Sequence, residues 1–165
     1  MKKILITTGG SGGHVIPAKV ISEHLKDVYE IFYSTDVRGQ KYLSPDNDKI
    51  VIIDTPKLNL SFDFPFKMIK LFYLTLKSIL HLRKKEIKKV FSTGGYMSLP
   101  MVIGAKILRI EIYLLEPNST LGRGNKFFLN FSKKIICYSS KLINFPKKFN
   151  YKIELINPLV FKAFY

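Results

Sequence analysis

Short apolar runs of strand type alternate with stretches of helical period along this chain, and no other feature constrains its fold as strongly. The runs fall at residues 3–8 (KILITT), 29–34 (YEIFYS), 49–54 (KIVIID), 88–93 (KKVFST), 111–116 (EIYLLE), 134–139 (KIICYS) and 152–157 (KIELIN). Between the first two, Val15, Ala18, Ile21 and Leu25 have helical spacing. A short helix or turn is expected over 38–44, a loop over 54–65, and a long helix over 66–85. Further helices are expected over 101–108 and around Phe127–Phe131. Strands that are apolar throughout are buried on both faces, which implies a parallel sheet covered on each side by helices. Right-handed crossovers then give an α/β, doubly wound, Rossmann-like sheet. No linker or fixed-period repeat divides the 165 residues, so one domain is expected.

In such sheets ligands sit beyond the carboxyl ends of the strands. Three loops of distinctive chemistry fall there. The first carries Gly9, Gly10, Ser11, Gly12, Gly13 and His14; the second carries Gly94, Gly95 and Tyr96; the third is PNSTLGRGNK, 117–126. A glycine turn that opens a helix leaves N–H groups pointing outward, and the helix dipole adds positive charge, a combination that favours phosphate. No Gly-Lys-Ser/Thr follows, so the first loop is not a Walker loop. Read from Gly10-x-Gly12, a dinucleotide fingerprint needs glycine where Val15 stands. Asp36, near the end of the second strand, keeps a nucleotide-binding reading open, and a turn that binds nothing is the plain alternative. His14 lies at the helix mouth, where the dipole favours a neutral imidazole able to accept a proton. His24 and His81 are read as surface residues. No metal-ligand cluster or Asp-x-Asp pair is visible, so no protein-bound metal is expected.

The formal charge is +15, from 27 basic and 12 acidic residues, and only four of the basic residues are Arg. Codon bias over a solvated surface is one account of that charge; an anionic partner is the other. Scarcity of Arg argues against reading of base edges, so nucleic acid is not an expected partner and a membrane surface or phosphate ligand is. Cys137 is the only cysteine and reads as a small core residue. No secretory signal is evident, and no stretch reaches the ~18–20 apolar residues of a membrane span. On the long helix, Lys67, Lys70, Lys77 and His81 share an arc of roughly 120°, and apolar residues fill roughly 200°. Packing on a sheet needs little more than half of that. The excess, with Phe72, Tyr73 and Leu76, suits contact with a lipid interface; burial against another helix or domain is the alternative.

Three segments in this order, GGSGGHVIPA, GGYMSLP and EPNSTLGRGNK, resemble the motifs of the family 28 glycosyltransferases of peptidoglycan synthesis. The resemblance covers residues 3–161 and implies the N-terminal domain of a GT-B fold. It implies an inverting transfer of N-acetylglucosamine from UDP-N-acetylglucosamine, the donor substrate, to lipid I, a polyprenyl-diphosphate sugar. By the same resemblance His14 is the general base. Gly9, Gly10, Ser11, Gly12, Gly13, Gly94, Gly95, Tyr96, Glu116, Asn118 and Asn125 bind substrate or its diphosphate. Lys67, Lys70, Phe72, Tyr73, Leu76 and Lys77 contact membrane lipid at the cytoplasmic face of the inner membrane, peripherally. Departures from the family pattern are Leu115 and Pro117 for His and Gln, and Ser92 for Gly. The hinge reads Ile156, Asn157, Pro158, Leu159, Val160, without its donor-contacting Arg. Residues 1–165 are therefore expected to be a single acceptor- and membrane-binding domain that lacks the C-terminal donor domain, with a separate donor-domain chain as partner. A non-catalytic membrane-anchoring subunit, an inactive remnant and a nucleotide-binding Rossmann protein are the competing readings.

Overall fold

The computed structural model describes residues 1–43, 49–59 and 62–161. The last residue of the expected 38–44 turn and residues 60–61 of the expected 54–65 loop therefore lie outside the described residues. Among the described residues seven strands and five α-helices follow one another: β1 (Lys2–Thr7), α1 (Gly12–Leu25), β2 (Tyr29–Thr35), α2 (Val37–Gln40), β3 (Ile50–Ile52), α3 (Phe64–Lys84), β4 (Lys89–Ser92), α4 (Leu99–Ile107), β5 (Glu111–Glu116), α5 (Arg123–Phe128), β6 (Lys134–Cys137) and β7 (Ile153–Leu155). The sheet order is β3-β2-β1-β4-β5-β6-β7 and every pairing is parallel. The chain starts at β1, winds outward to β3, then crosses back to β4 on the other side of β1. Its switch point lies between β1 and β4, where Thr7 pairs with Ser92. Both edge strands, β3 and β7, are three residues long.

Alternation along β1 divides the core. Leu5 faces a large cluster with Phe32, Val90, Leu114 and Ile135, built up by Leu74 and Leu82 of α3, Met101 and Ala105 of α4 and Phe128 of α5. Ile4 and Ile6 face the other side, where Ala18 and Ile21 of α1 cover them with Phe91 and Leu115. The tail after β7 returns to this second side. Leu159 packs there, and His24 Nε2 meets the Val160 carbonyl oxygen at 2.9 Å. Cys137 is fully buried in β6, and burial, then the nearby Glu116, pushes its thiol up to about 11.

α3 begins with Pro65 in its first turn, where the missing N–H costs nothing. Its buried positions are Leu71, Leu74, Thr75, Ser78 and Leu82. The two hydroxyls donate to carbonyls one turn back, Thr75 to Leu71 at 2.9 Å and Ser78 to Leu74 at 2.8 Å. Ser78 is small enough for α4 to close in at Gly104, where a Cβ would lie 3.4 Å from the Ser78 Cβ and 3.3 Å from the Ile79 side chain. Burial thus runs along a narrow seam, and much of the apolar arc remains outside it.

Three expectations need correction. The helix expected around Phe127–Phe131 runs from Arg123 to Phe128, so the end of the third loop is helical. Strand β3 is shorter than the apolar run over 49–54, because pairing with β2 stops at Ile52. His81 is not a plain surface residue: its Nε2 is buried without a hydrogen-bond partner. Burial, followed by Lys85, Lys77 and Lys84, lowers its pKa.

Candidate functional site

The carboxyl ends of β1, β4 and β5 carry the three loops singled out in the sequence, and the sheet order sets them side by side. The loop after β1 is braced from β2. Asp36, fully buried, accepts the Gly10 N–H at 2.9 Å and the Gly39 N–H at 2.8 Å, and its second oxygen takes Arg38 Nε at 2.9 Å. Burial would raise this carboxyl. The Gly10 and Gly39 amides and Arg38 outweigh it and hold the pKa below its ordinary value. Both oxygens of Asp36 are therefore engaged by its own chain, and the fully buried side chain serves as a brace for the loop. Gly10 sits at φ +86°, a conformation that a side chain would strain.

Ser11 precedes α1 and its carbonyl accepts from the backbone N–H of His14 and Val15, while its hydroxyl caps nothing. Gly12 and Gly13 supply the first N–H groups of the helix, which have no acceptor within it. The Gly10 amide, by contrast, is engaged by Asp36.

His14 is held from the neighbouring loop. Its Nδ1 lies 2.9 Å from the Thr93 carbonyl oxygen. A carbonyl only accepts, so Nδ1 carries the hydrogen and, in the neutral ring, Nε2 presents the lone pair. Thr93 is itself fixed twice. Its N–H reaches the Thr7 carbonyl at 3.2 Å and its hydroxyl donates to Thr8 Oγ1 at 2.8 Å. The Nε2 edge faces the second turn, since a Cβ on Gly95 would stand 3.7 Å from Nε2.

That second turn has Gly94 at φ +90° and Gly95 at φ +80°. Ser92 accepts the Gly94 N–H at 3.1 Å, so the serine found in place of the family's glycine helps to form the turn. Tyr96 reaches back toward the first loop and accepts from Arg38 Nη2 at 3.3 Å. α5 comes down on the turn so closely that a Cβ on Gly124 would stand 3.0 Å from the Gly95 nitrogen.

Glu116 organises the third loop from inside. Buried, it accepts the Asn118 N–H at 3.3 Å and Asn118 Nδ2 at 3.0 Å on one oxygen. Its other oxygen accepts the Gly122 N–H at 2.8 Å and Asn125 Nδ2 at 3.1 Å. Asn125 Nδ2 also donates to the Leu115 carbonyl at 2.9 Å. Two acceptors on that side fix the amide's orientation, which leaves its buried Oδ1 unpartnered beside Gly94.

Together these loops wall a cavity of about 460 Å³, within the ~300–1,000 Å³ range of small-molecule sites. His14, Gly94, Gly95, Tyr96, Glu116, Asn118 and Asn125 line it. Gly9, Gly10, Ser11, Gly12 and Gly13 do not; Gly10 lies beside Arg38, whose Nη2 donates to Tyr96. Five cavity residues were not among the expected site residues: Lys57, Leu58, Gly122, Arg123 and Gly124. Gly124 was visible as a glycine, but its reason, the approach to Gly95, depends on β4 and β5 being neighbours.

On α3 the expected lipid-facing residues Phe72, Tyr73 and Leu76 are exposed, joined by Phe66, Met68, Ile69 and Leu80 and, just before the helix, Phe62. Lys70 is exposed beside them. Lys67 instead pairs with Asp63 at 2.9 Å, and Lys77 donates to the Ile52 carbonyl at 3.2 Å. Among the described residues no helix is long and apolar enough to cross a membrane.

Comparison with known proteins gives the family and the fold. A glycosyltransferase family 28 N-terminal domain matches residues 4–137. A UDP-N-acetylglucosamine--N-acetylmuramyl-(pentapeptide) pyrophosphoryl-undecaprenol N-acetylglucosamine transferase of Pelagibacter ubique is 47% identical over 165 residues, 99% of this chain and 46% of that protein. The enzyme of the same name from Rickettsia canadensis is 35% identical over 164 residues, 98% of this chain and 46% of that protein. The chain thus spans about half the length of the curated relatives it matches. Among solved structures, Acinetobacter baumannii MurG superposes with a TM-score of 0.78 at 21% identity, over 94% of this chain and 45% of that one. A UDP-GlcNAc 2-epimerase from Methanocaldococcus jannaschii superposes at 0.65 with 12% identity, over 94% and 45%, which shows a shared fold. The chain belongs to glycosyltransferase family 28, and its seven-stranded parallel sheet is that family's N-terminal Rossmann-like domain.

Proposed function

We propose that this domain is the acceptor- and membrane-binding half of an inverting transferase that moves N-acetylglucosamine from UDP-N-acetylglucosamine to lipid I. The observation that carries the reading is His14: its ring is locked through Nδ1 to the Thr93 carbonyl, and Nε2 faces a cavity built by all three loops. In this scheme an acceptor sugar hydroxyl lies at Nε2. It attacks the anomeric carbon of the donor, the bond to UDP breaks on the opposite face, and the hydroxyl proton passes to Nε2. Inversion follows from that single displacement. Ser11 and the open amides of Gly12 and Gly13 add positive potential at the mouth of α1 toward the acceptor's charged group. Glu116 and Asn125 hold the third loop in shape, and Asn118 stands at its rim.

The chain spans about half the length of its relatives, and the donor-binding half is supplied by sequence outside these residues. The α3 face supports peripheral attachment at the cytoplasmic side of the inner membrane. Phe66, Ile69, Phe72, Tyr73 and Leu80 would enter the lipid interface and Lys70 would meet anionic head groups. Two experiments test the reading. His14→Ala, assayed with a donor half, is expected to lower turnover by about 10²-fold or more; near-normal turnover rules the base out. Co-sedimentation is expected with anionic vesicles and to fall in Phe72→Ser; equal partition into neutral vesicles, or none into either, removes the membrane role.

A further inference from the structure

The cavity beside His14 carries two cations that the scheme above leaves unused. Lys57 stands on the connection between β3 and α3, and Arg123 is the first residue of α5. Each is delivered by an anchored neighbour. Two residues before Lys57, buried Thr55 donates its hydroxyl to the Met97 carbonyl at 3.1 Å, which ties that connection to the second glycine turn. Arg123 lies between Gly122, whose N–H is held by Glu116 at 2.8 Å, and Gly124, seated on the Gly95 backbone. Both side chains are exposed, and neither has an ion-pair partner among the described residues. The carboxylate in the cavity wall, Glu116, already accepts four N–H donors of its own loop.

Charge decides what these cations are for. The mouth of α1 offers about half an elementary charge, and Asp36 withdraws the Gly10 amide from it. A diphosphate needs more than that, and two full positive charges at one cavity supply it. Arg123 brings a planar fork suited to paired phosphate oxygens and Lys57 a point charge.

We infer that Lys57 and Arg123 hold the diphosphate of a diphosphate-linked sugar in the cavity, so that the sugar extends to Nε2 of His14. The inference rests on the acceptor-half reading for the sugar's role, and its charged group has two sources, the lipid-linked acceptor and the nucleotide donor. Calorimetric titration of the full chain separates them, with inorganic pyrophosphate, a short-chain prenyl-diphosphate sugar and UDP-N-acetylglucosamine as probes. Lys57→Gln and Arg123→Gln are each expected to weaken pyrophosphate by about tenfold or more. Arg123→Lys should recover part of that loss. Lys88→Gln, a charge change at the opposite end of the sheet, should recover wild-type binding. A parallel loss for the prenyl-diphosphate sugar assigns the cations to the acceptor; a loss confined to UDP-N-acetylglucosamine assigns them to the donor. Unchanged affinity in both glutamine variants, an equal loss in Lys88→Gln, or no pyrophosphate binding by the wild type overturns the inference. Wild-type transfer by the double variant with a donor half would also overturn it and leave the acceptor reading intact. Tenfold losses in binding, with no transfer under any donor half, would uphold the anion site and remove the acceptor reading.

Discussion

The two glycine turns at the switch point do similar geometric work by different means. The turn after β1 is held electrostatically. A buried carboxylate just after β2 grips the Gly10 amide, caps α2 through Gly39 and is paired with Arg38. The turn after β4 is held by contact: Gly124 of α5 rests on Gly95, and Asn125 lies against Gly94. The first depends on a proton and the second on a volume, so different substitutions and conditions should loosen them.

Asp36→Ala has the largest expected effect. It strips the N-cap of α2 and leaves the Gly39 N–H buried without an acceptor, a loss of about 2–4 kcal/mol in denaturant melts. An unchanged midpoint would show that the first turn does not need its brace. Gly124→Ala comes next. The added methyl must displace the Gly95 backbone, for about 1–3 kcal/mol, against a gain of up to ~1 kcal/mol in helix propensity. A variant as stable as the wild type would mean that α5 slides freely. Acidification should separate the turns more finely. The folded pKa of Asp36 lies below its unfolded value, so its contribution is present above about pH 4 and lost as pH falls through the folded pKa. Thermal melts of Asp36→Asn should therefore lose less stability than the wild type below about pH 4, while Gly124→Ala keeps the wild-type pH profile. Arg38→Lys is the mildest test. Arg38 is more than half exposed, so the melting temperature should barely move. The Tyr96 contact should loosen, read as a shifted Tyr96 ring resonance; no shift would detach Tyr96 from the first loop.

Much of this was legible because it is local. Apolar runs such as KILITT and EIYLLE specify buried strands by themselves, and Gly94-Gly95 announces a positive-φ turn without help. What stayed hidden depends on neighbours distant in sequence. Asp36 looks like a ribose ligand until β2 is placed beside β1, which puts the Gly10 amide on its carboxylate. Lys57 sits in a segment with no periodicity, and only the Thr55–Met97 bond carries it to the cavity. Arg123 reads as loop because Gly122 and Gly124 flank it, yet the Glu116–Gly122 bond closes that loop early and lets a helix start there. On α3, hydropathy could not tell the seam from the outside, because the seam contains Thr75 and Ser78, whose hydroxyls are satisfied within the helix.

The three-residue borders of the sheet carry a consequence for how the molecule meets others. A strand so short offers an incoming chain few free main-chain groups, so growth by strand addition has little to build on. Of the elements, α3 carries the most large apolar residues that remain exposed, from Phe66 to Leu80. Self-association at high concentration should therefore be a matter of helix against helix, sensitive to detergent and without a gain in β-structure.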